Sequence, residues 1–434
     1  MAYLRSLSKE CWRLALVLQL LLPGACISTG TPTNTKSTTP CQNVSCATTA
    51  AGTVPASIPA TRPFIDTWNN VHLFQAFDYN ISHPSSVADS YDFVWGAQAD
   101  YISQYRSANK NIFLSFYMPL YRDWGTFPDS TTRRTLDYWR STHPDWVLYK
   151  CDRITPVSDY DRYGVALDFT NPAVVTWQIQ TYALPASMRG YDGLAVDNVT
   201  FQNYSGACGV YVNGQWVQHY TGQLDDPQWR ADILNWLKQM QHTLHQLQHP
   251  LASIVNFYVG DPSLDDGQVQ QLVNSVDGLL DEDGFTESGR GNLAGARWVQ
   301  RVAFMASVQK QNKPYYVIDQ FPSVDQTQIQ WAIASYLMGK EHMAALFIST
   351  IQGYGADTQY DEYRVQIGSP RGPMYQKQGV YIRDYTQGMS IVNPSATATY
   401  TVTLDGYYRD LYGEALSSTV SVPPLTGMVL LQQP

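Results

Sequence analysis

Two segments of the chain share one frame. YDGLAVDNV (191–199) and VDGLLDEDG (276–284) each run through Asp-Gly-Leu and then carry an acid at the same offset, Asp192 to Asp197 and Asp277 to Glu282. Side chains alternate along a strand, so Gly193, Ala195 and Asp197 share one face, and Gly278, Leu280 and Glu282 share the equivalent face of the other segment. Two carboxyl groups converging on one pocket can divide labour. One, ionised, attacks or stabilises a cationic carbon, while the other, protonated, hands its proton to a departing oxygen, which is what cleavage of a glycosidic bond requires. Glu282 lies between Asp281 and Asp283, and neighbouring negative charge raises a carboxyl pKa, as a general acid near neutral pH needs. Asn198 offers Asp197 a hydrogen-bond donor. The sequence therefore predicts Asp197 as nucleophile and Glu282 as acid/base, with Asp281 and Asp283 open as alternatives for the acid. Plainer roles exist for both: an Asp before Asn can cap a turn, and Asp-Glu-Asp can be a solvated loop.

The elements that must position these acids follow from hydrophobic patterning. Short apolar runs occur at HLFQAF (72–77), DFVWG (92–96), IFLSFY (112–117), DGLAVD (192–197), SIVNFY (253–258), DGLLDE (277–282), YYVIDQ (315–320) and AALFIS (344–349). Helix-period stretches separate them. The clearest is 227–248, with Asp226 as N-cap and Pro227 in the first turn, and with Trp229, Ile233, Trp236, Leu237, Met240, Leu244 and Leu247 on one face. Others start at Asn171-Pro172 and at 325–339. Eight strands joined by helices imply parallel neighbours, and the count fits an α/β fold closed as a (β/α)8 TIM barrel over residues 62–362. An open doubly wound sheet lacks the Gly-rich phosphate turn it would carry. VALDF (165–169) reads as a strand-like lead into a helix. From 363 to 434 short alternating runs broken by Gly, Pro and Asn predict a C-terminal β-sandwich-like antiparallel domain.

In a barrel, functional side chains emerge at the carboxyl ends of the strands. That places Asp197 and Glu282 on the fourth and sixth strands, facing one mouth. Asp78, Tyr117, Arg122, Asn198, Tyr258, Asp319 and Gln320 sit at or just beyond strand ends and are candidates for binding sugar hydroxyls. Trp95 and Trp124 are candidates for stacking, with core packing favoured for Trp95.

A net charge of −9 argues against nucleic acid, which needs clustered Lys and Arg, and leaves a neutral or cationic ligand such as a carbohydrate. No Cys or His spacing resembles a zinc site, and no metal or cofactor is expected. Arg5, Lys9 and Arg13 precede the apolar run Leu14–Leu22, too short to span a bilayer but suited to a signal peptide over 1–26. Gly24-Ala25-Cys26 resembles a lipoprotein cleavage site, apart from Pro23, so Cys26 is a candidate lipid attachment point and membrane tether. Residues 27–61, rich in Thr, Ser, Ala and Pro, read as a flexible linker. An extracellular or cell-surface location follows. Cys41 and Cys46 are close enough to pair, and Cys151 and Cys208, before and after one barrel strand, are placed for a disulfide.

LDFTNPAVVTW (167–177), YDGLAVDNVTF (191–201), DEDGFT (281–286) and GVYIRDYTQGMSIVNPS (379–395) together resemble the TIM-barrel families catalogued as hypothetical glycosyl hydrolases, distant relatives of α-galactosidase-like and α-amylase-like barrels. The resemblance covers about residues 64–432. It implies a retaining glycoside hydrolase with its nucleophile at Asp197 and its acid/base at Glu282, although the α-galactosidase-like clan uses Asp for the latter. Two other classes stand beside this one. A non-catalytic carbohydrate-binding surface protein on a degenerate barrel would keep the two acids apart, and a metal-dependent deacetylase would need a His/Asp cluster.

Overall fold

The computed structural model describes residues 71–125, 134–158, 164–258, 263 and 265–433, so the signal, lipid-attachment and linker expectations lie outside the described residues. Eight parallel strands form the central sheet: β1 (Phe74–Ala76), β2 (Phe93–Trp95), β3 (Phe113–Pro119), β4 (Gly193–Thr200), β5 (Ala252–Tyr258), β6 (Gly278–Asp281), β7 (Tyr315–Phe321) and β8 (Ala344–Thr350). They are hydrogen-bonded in chain order, and a parallel bridge between Leu73 and Leu346 joins the last strand to the first. The sheet is thus a (β/α)8 barrel, with each of the eight apolar runs supplying one strand. Val165–Ala166 is a short strand outside it, antiparallel to Arg122–Asp123.

Strand parity sorts the core. Phe74, Phe93, Phe113, Ala195, Ile254, Leu280, Tyr316, Ile318 and Phe347 fill the barrel interior, while Leu114, Leu194, Val255, Leu279 and Val317 face the helices. Aromatic rings plug the lower barrel, with Phe93 and Tyr316 centroids 4.3 Å apart and Phe93 and Phe113 5.3 Å apart. This crowding explains the repeated Asp-Gly-Leu. A Cβ on Gly193 would lie 2.7 Å from the Ala252 carbonyl, and one on Gly278 would lie 2.8 Å from Ile254, so both interior positions exclude a side chain. The aspartates pin the neighbouring strand: Asp192 accepts from Leu114 N–H at 2.8 Å and Asp277 from Ser253 N–H at 2.8 Å. Each motif locks its strand's register so that the acid five residues later reaches the opposite mouth.

The helices start where the sequence says. Asp226 accepts from the Gln228 and Trp229 amides to cap Pro227–His245, Asn171 caps Pro172–Gln178, and Asp325 forms a full capping box for Gln326–Gly339. That last helix is apolar on nearly all sides because it lies between barrel and C-terminal sheet. The C-terminal region forms antiparallel sheets of five and two strands, and Arg383 donates to the Leu337 and Met338 carbonyls at the helix end at 3.0 and 3.1 Å. Among the described residues no helix is long and apolar enough to cross a membrane.

Between β3 and β4 the chain makes a long excursion, whose Tyr149–Lys150 strand pairs with the hairpin Ala207–Val212/Gln215–Gln218 that follows β4. Cys151 and Cys208 form a disulfide across this pairing, closing a loop with a sequence separation of 57. Removing it with Cys151→Ser/Cys208→Ser is expected to destabilise the chain by about 2–4 kcal/mol. Chemical denaturation of the purified double variant against wild type checks this, and an unchanged midpoint would show that the surrounding sheet holds without it.

Candidate active site

Asp197 and Glu282 stand at the mouth of the barrel, both half-buried, on the face defined by Ala195 and Leu280 below them. A kink brings them together. Val196 pairs with Val255 and Val199 with Phe257, so Asp197 and Asn198 together oppose the single residue Asn256. The extra residue is accommodated by Asn198 at φ 63°, the left-handed region that Asn tolerates better than most side chains. Bulges of this kind re-aim side chains beside active sites. Here the bulge on β4 sets Asp197 and Asn198 against Asn256, whose amide bonds both acids.

The resulting network is dense. Asp197 accepts three hydrogen bonds: from Tyr117 Oη at 2.8 Å, from Asn256 Nδ2 at 3.0 Å and from the Asn198 backbone N–H at 2.8 Å. Glu282 accepts two, from Asn256 Nδ2 at 2.7 Å and from Tyr354 Oη at 2.7 Å. Asn256 Nδ2 thus donates to one oxygen of each acid. The two bonds of 3.0 and 2.7 Å laid end to end limit those oxygens to about 5.7 Å apart.

Burial pushes the Glu282 carboxyl up to about 7, with the charge of Asp197 as the second cause and that of Asp283 a smaller one; the Tyr354 and Asn256 donors oppose the rise. Of the two flanking aspartates expected to raise it, Asp283 is a cause of this kind. Asp281 instead faces outward, where Arg301 and Tyr315 Oη bond it, the latter at 2.8 Å. Asp283 is buried and accepts from Ser288 Oγ at 2.7 Å. Both alternative acids are thus engaged by partners outside the Asp197–Glu282 network. Gly284 (φ 52°) lets this loop lie on β7, since a Cβ there would sit 2.1 Å from the Ile318 carbonyl.

The other expected site residues divide by parity. Tyr117 bonds Asp197 directly, and Gln320 and Tyr258 share the inner-facing parity of Ile318 and Ile254, with Tyr258 beside Tyr204 at a centroid distance of 5.7 Å. Asn198 contributes its backbone N–H. Arg122 lies in the short outer strand with its guanidinium 5.1 Å from the Tyr121 ring. Asp78 is not brought to the site: it is fully buried, accepting from Gln98 N–H and from Tyr105 Oη at 2.9 Å. Asp319 is likewise buried on the outer face, accepting from Phe285 N–H at 2.6 Å, because it alternates with inward Ile318 and Gln320. Trp95 packs in the core with its ring edge-on to Phe77 and Tyr117, and the Trp124 side chain lies by the Tyr117 hydroxyl. Two members of the network, Asn256 and Tyr354, escaped the sequence reading. Asn256 had a signal, an amide inside the apolar run SIVNFY at inward parity. Tyr354 had none, since it lies in the loop after β8.

A closed parallel barrel with a bridged carboxyl pair at its carboxyl-end mouth is an architecture of carbohydrate-cleaving enzymes. The chain belongs to hypothetical glycosyl hydrolase family 15, whose model matches residues 115–389. No curated protein sequence matches significantly. Similar solved structures include the noncanonic maltogenic α-amylase AmyB from Thermotoga neapolitana, with 10% identity, TM-score 0.43 and coverage of 77% of this chain and 81% of that one. Aspergillus fumigatus Ega3 in complex with galactosamine gives 12% identity, TM-score 0.39 and coverage of 70% and 97%. CldA, a cyclomaltodextrin glucanotransferase, gives 13% identity, TM-score 0.41 and coverage of 84% and 87%.

Burial raises Asp78 to about 6 and Asp319 to about 8, alongside Glu282 at about 7. The folded chain therefore holds protons that the unfolded chain releases near pH 4. The contribution of these groups is complete below that pH and is lost as pH rises through 6, 7 and 8. The thermal midpoint should fall between about pH 5 and pH 8.5, and Asp319→Asn should flatten the upper part of that fall. Calorimetry across this range tests the assignment, and a variant with the wild-type slope would refute it.

Proposed function

We propose that the protein is a retaining glycoside hydrolase acting on an extracellular poly- or oligosaccharide, with Asp197 as nucleophile and Glu282 as acid/base. The observation that carries this reading is the single Asn256 amide bonded to both carboxylates. Retaining enzymes hold their carboxyl groups ~5–5.5 Å apart, whereas inverting ones need ~6.5–9.5 Å to admit water between them. The facing oxygens, limited to about 5.7 Å apart by the shared amide, are compatible with the closer spacing. The rival reading as a binding protein on a degenerate barrel expects the acids apart, and the bridge counts against it. The disulfide fits an oxidising compartment and so supports export. Tethering through Cys26 is part of the same proposal.

In the first step an Asp197 oxygen attacks the anomeric carbon, the bond to the leaving sugar breaks, and the Glu282 proton moves to the departing oxygen. Esterification removes the Asp197 charge, one of the causes holding the Glu282 carboxyl up, so Glu282 gives up protons more readily afterwards. In the second step it takes a proton from water, whose oxygen attacks the same carbon and frees Asp197. Tyr117 and Asn198 hold the Asp197 carboxylate, and Tyr354 holds Glu282.

The test is a hydrolysis screen over aryl glycosides and polysaccharides with wild type, Asp197→Ala and Glu282→Ala in parallel. Both substitutions should abolish polysaccharide cleavage, with azide rescuing Asp197→Ala. Glu282→Ala should lose about 10²–10⁴-fold on poor leaving groups and less on activated aryl glycosides. Wild-type kcat/KM should decline above about pH 7 as Glu282 loses its proton. Activity surviving both substitutions would remove these residues from the mechanism, and inactivity on a broad panel would favour the binding-protein class.

A further inference from the structure

We infer that Asn256 is a positioning residue that sets both the spacing and the protonation of the Asp197–Glu282 pair, an inference that rests on the glycosidase reading of those acids. A carboxamide is planar, with its two N–H bonds fixed about 120° apart. When one N–H engages Asp197 and the other Glu282, neither acid can shift by an ångström without losing a bond in a site where Asn256 itself is 8% exposed. The amide has little freedom of its own. β5 lies between β4, which carries Asp197, and β6, which Glu282 directly follows, and Asn256 sits opposite Leu280 on β6 and at the bulge on β4. A residue with a single donor could satisfy one acid only. An apolar residue of the same shape would leave two carboxyl groups facing each other with no shared donor.

The other groups around the pair come from several elements. Tyr117 on β3 bonds Asp197, and Tyr354 after β8 bonds Glu282, with Tyr79 after β1 beside Tyr354. Asp283 on the loop after β6 adds negative charge, partly offset by Arg290 and Arg301. On the outer face Asp281 is paired with Arg301, and Asp319 on β7 is bonded to Phe285 N–H. Asn256 bonds both acids. Its donation favours the ionised form of Glu282 and so works against burial and the charge of Asp197. Asn256 therefore limits how firmly Glu282 holds its proton, and keeps the ionised base accessible for the second step.

Asn256→Leu preserves shape and removes the donor; Asn256→Asp offers one donor when neutral and a third negative charge when ionised. Carbon-13 NMR of carboxyl-labelled Glu, without substrate, reads the Glu282 titration directly, with Glu282→Gln assigning the signal. In folded Asn256→Leu the titration should move upward from the wild-type position. On any glycoside that wild type cleaves, the high-pH limb of kcat/KM should move the same way, while kcat drops at least about tenfold. Asn256→Asp should keep part of its activity at low pH and lose it as pH rises. An unmoved Glu282 titration in folded Asn256→Leu would overturn the inference. If Asn256→Leu does not fold, Asn256→Asp decides it: a pH profile parallel to wild type would overturn it equally. A shifted titration in a chain that cleaves no glycoside would instead sink the glycosidase reading and leave the coupling of the two acids standing.

Discussion

Two carboxylate oxygens held within about 5.7 Å by one amide repel by about 3 kcal/mol when both groups are ionised at an effective dielectric near 20. Fixed donors at the mouth of this barrel hold such a pair in place. Water would hold it, but water at that position would also compete with a substrate. The chain uses fixed donors instead: a tyrosine hydroxyl on each acid, a backbone N–H on Asp197, and one amide shared between them. These donors come from β3, β4, β5 and the loop after β8. No local motif could gather them, whereas a closed barrel brings every strand end to one mouth. The bulge at Asp197–Asn198 is the local adjustment that makes the gathering accurate, since regular pairing between β4 and β5 would set Asn256 against one residue fewer.

The acids themselves were legible in the sequence because strand parity survives from sequence to structure. Asp-Gly-Leu recurs for reasons of the lower barrel, where Asp192 and Asp277 tie down the preceding strand and Gly193 and Gly278 clear space for neighbouring backbone and side chains. That shared frame fixes the offset of the acids above. The same parity separates the failures. Asp319 lies at a strand end, yet it alternates with Ile318 and Gln320 and so must face outward. Asp78 follows Phe77 at φ 59°, a reversal that breaks the alternation and sends the carboxyl behind the strand. Strand-end position alone is a weak signal; strand-end position with inward parity is a stronger one. Asn256 met both conditions but carries no charge, and Tyr354 depends on chain closure across 72 residues, which no local pattern records.

Stability and chemistry pull against each other in the same layer. Glu282, Asp319 and Asp78 are carboxyl groups whose charged forms are penalised by burial. For Asp78 and Asp319 the return is structural, since each accepts a backbone N–H that loop geometry leaves without a ladder partner. For Glu282 it is a proton retained near neutral pH. The lower barrel compensates with close aromatic packing, and the C-terminal sheet compensates by covering the apolar helix Gln326–Gly339, with Tyr385 Oη and Ser390 Oγ bonding its Leu337 and Ala334 carbonyls at 2.6 and 3.0 Å.

The proposed division of labour between the acids matches their unequal surroundings. Asp197 has three donors directed at its two oxygens. Glu282 has two, and its burial pulls the other way. A site that gave both acids equal donor sets would have no reason to place the proton on one of them. Removing Tyr354 or Tyr117 would change one acid's share, but removing Asn256 would change both at once and release the spacing as well. The shared amide is therefore the point at which geometry and protonation are fixed together.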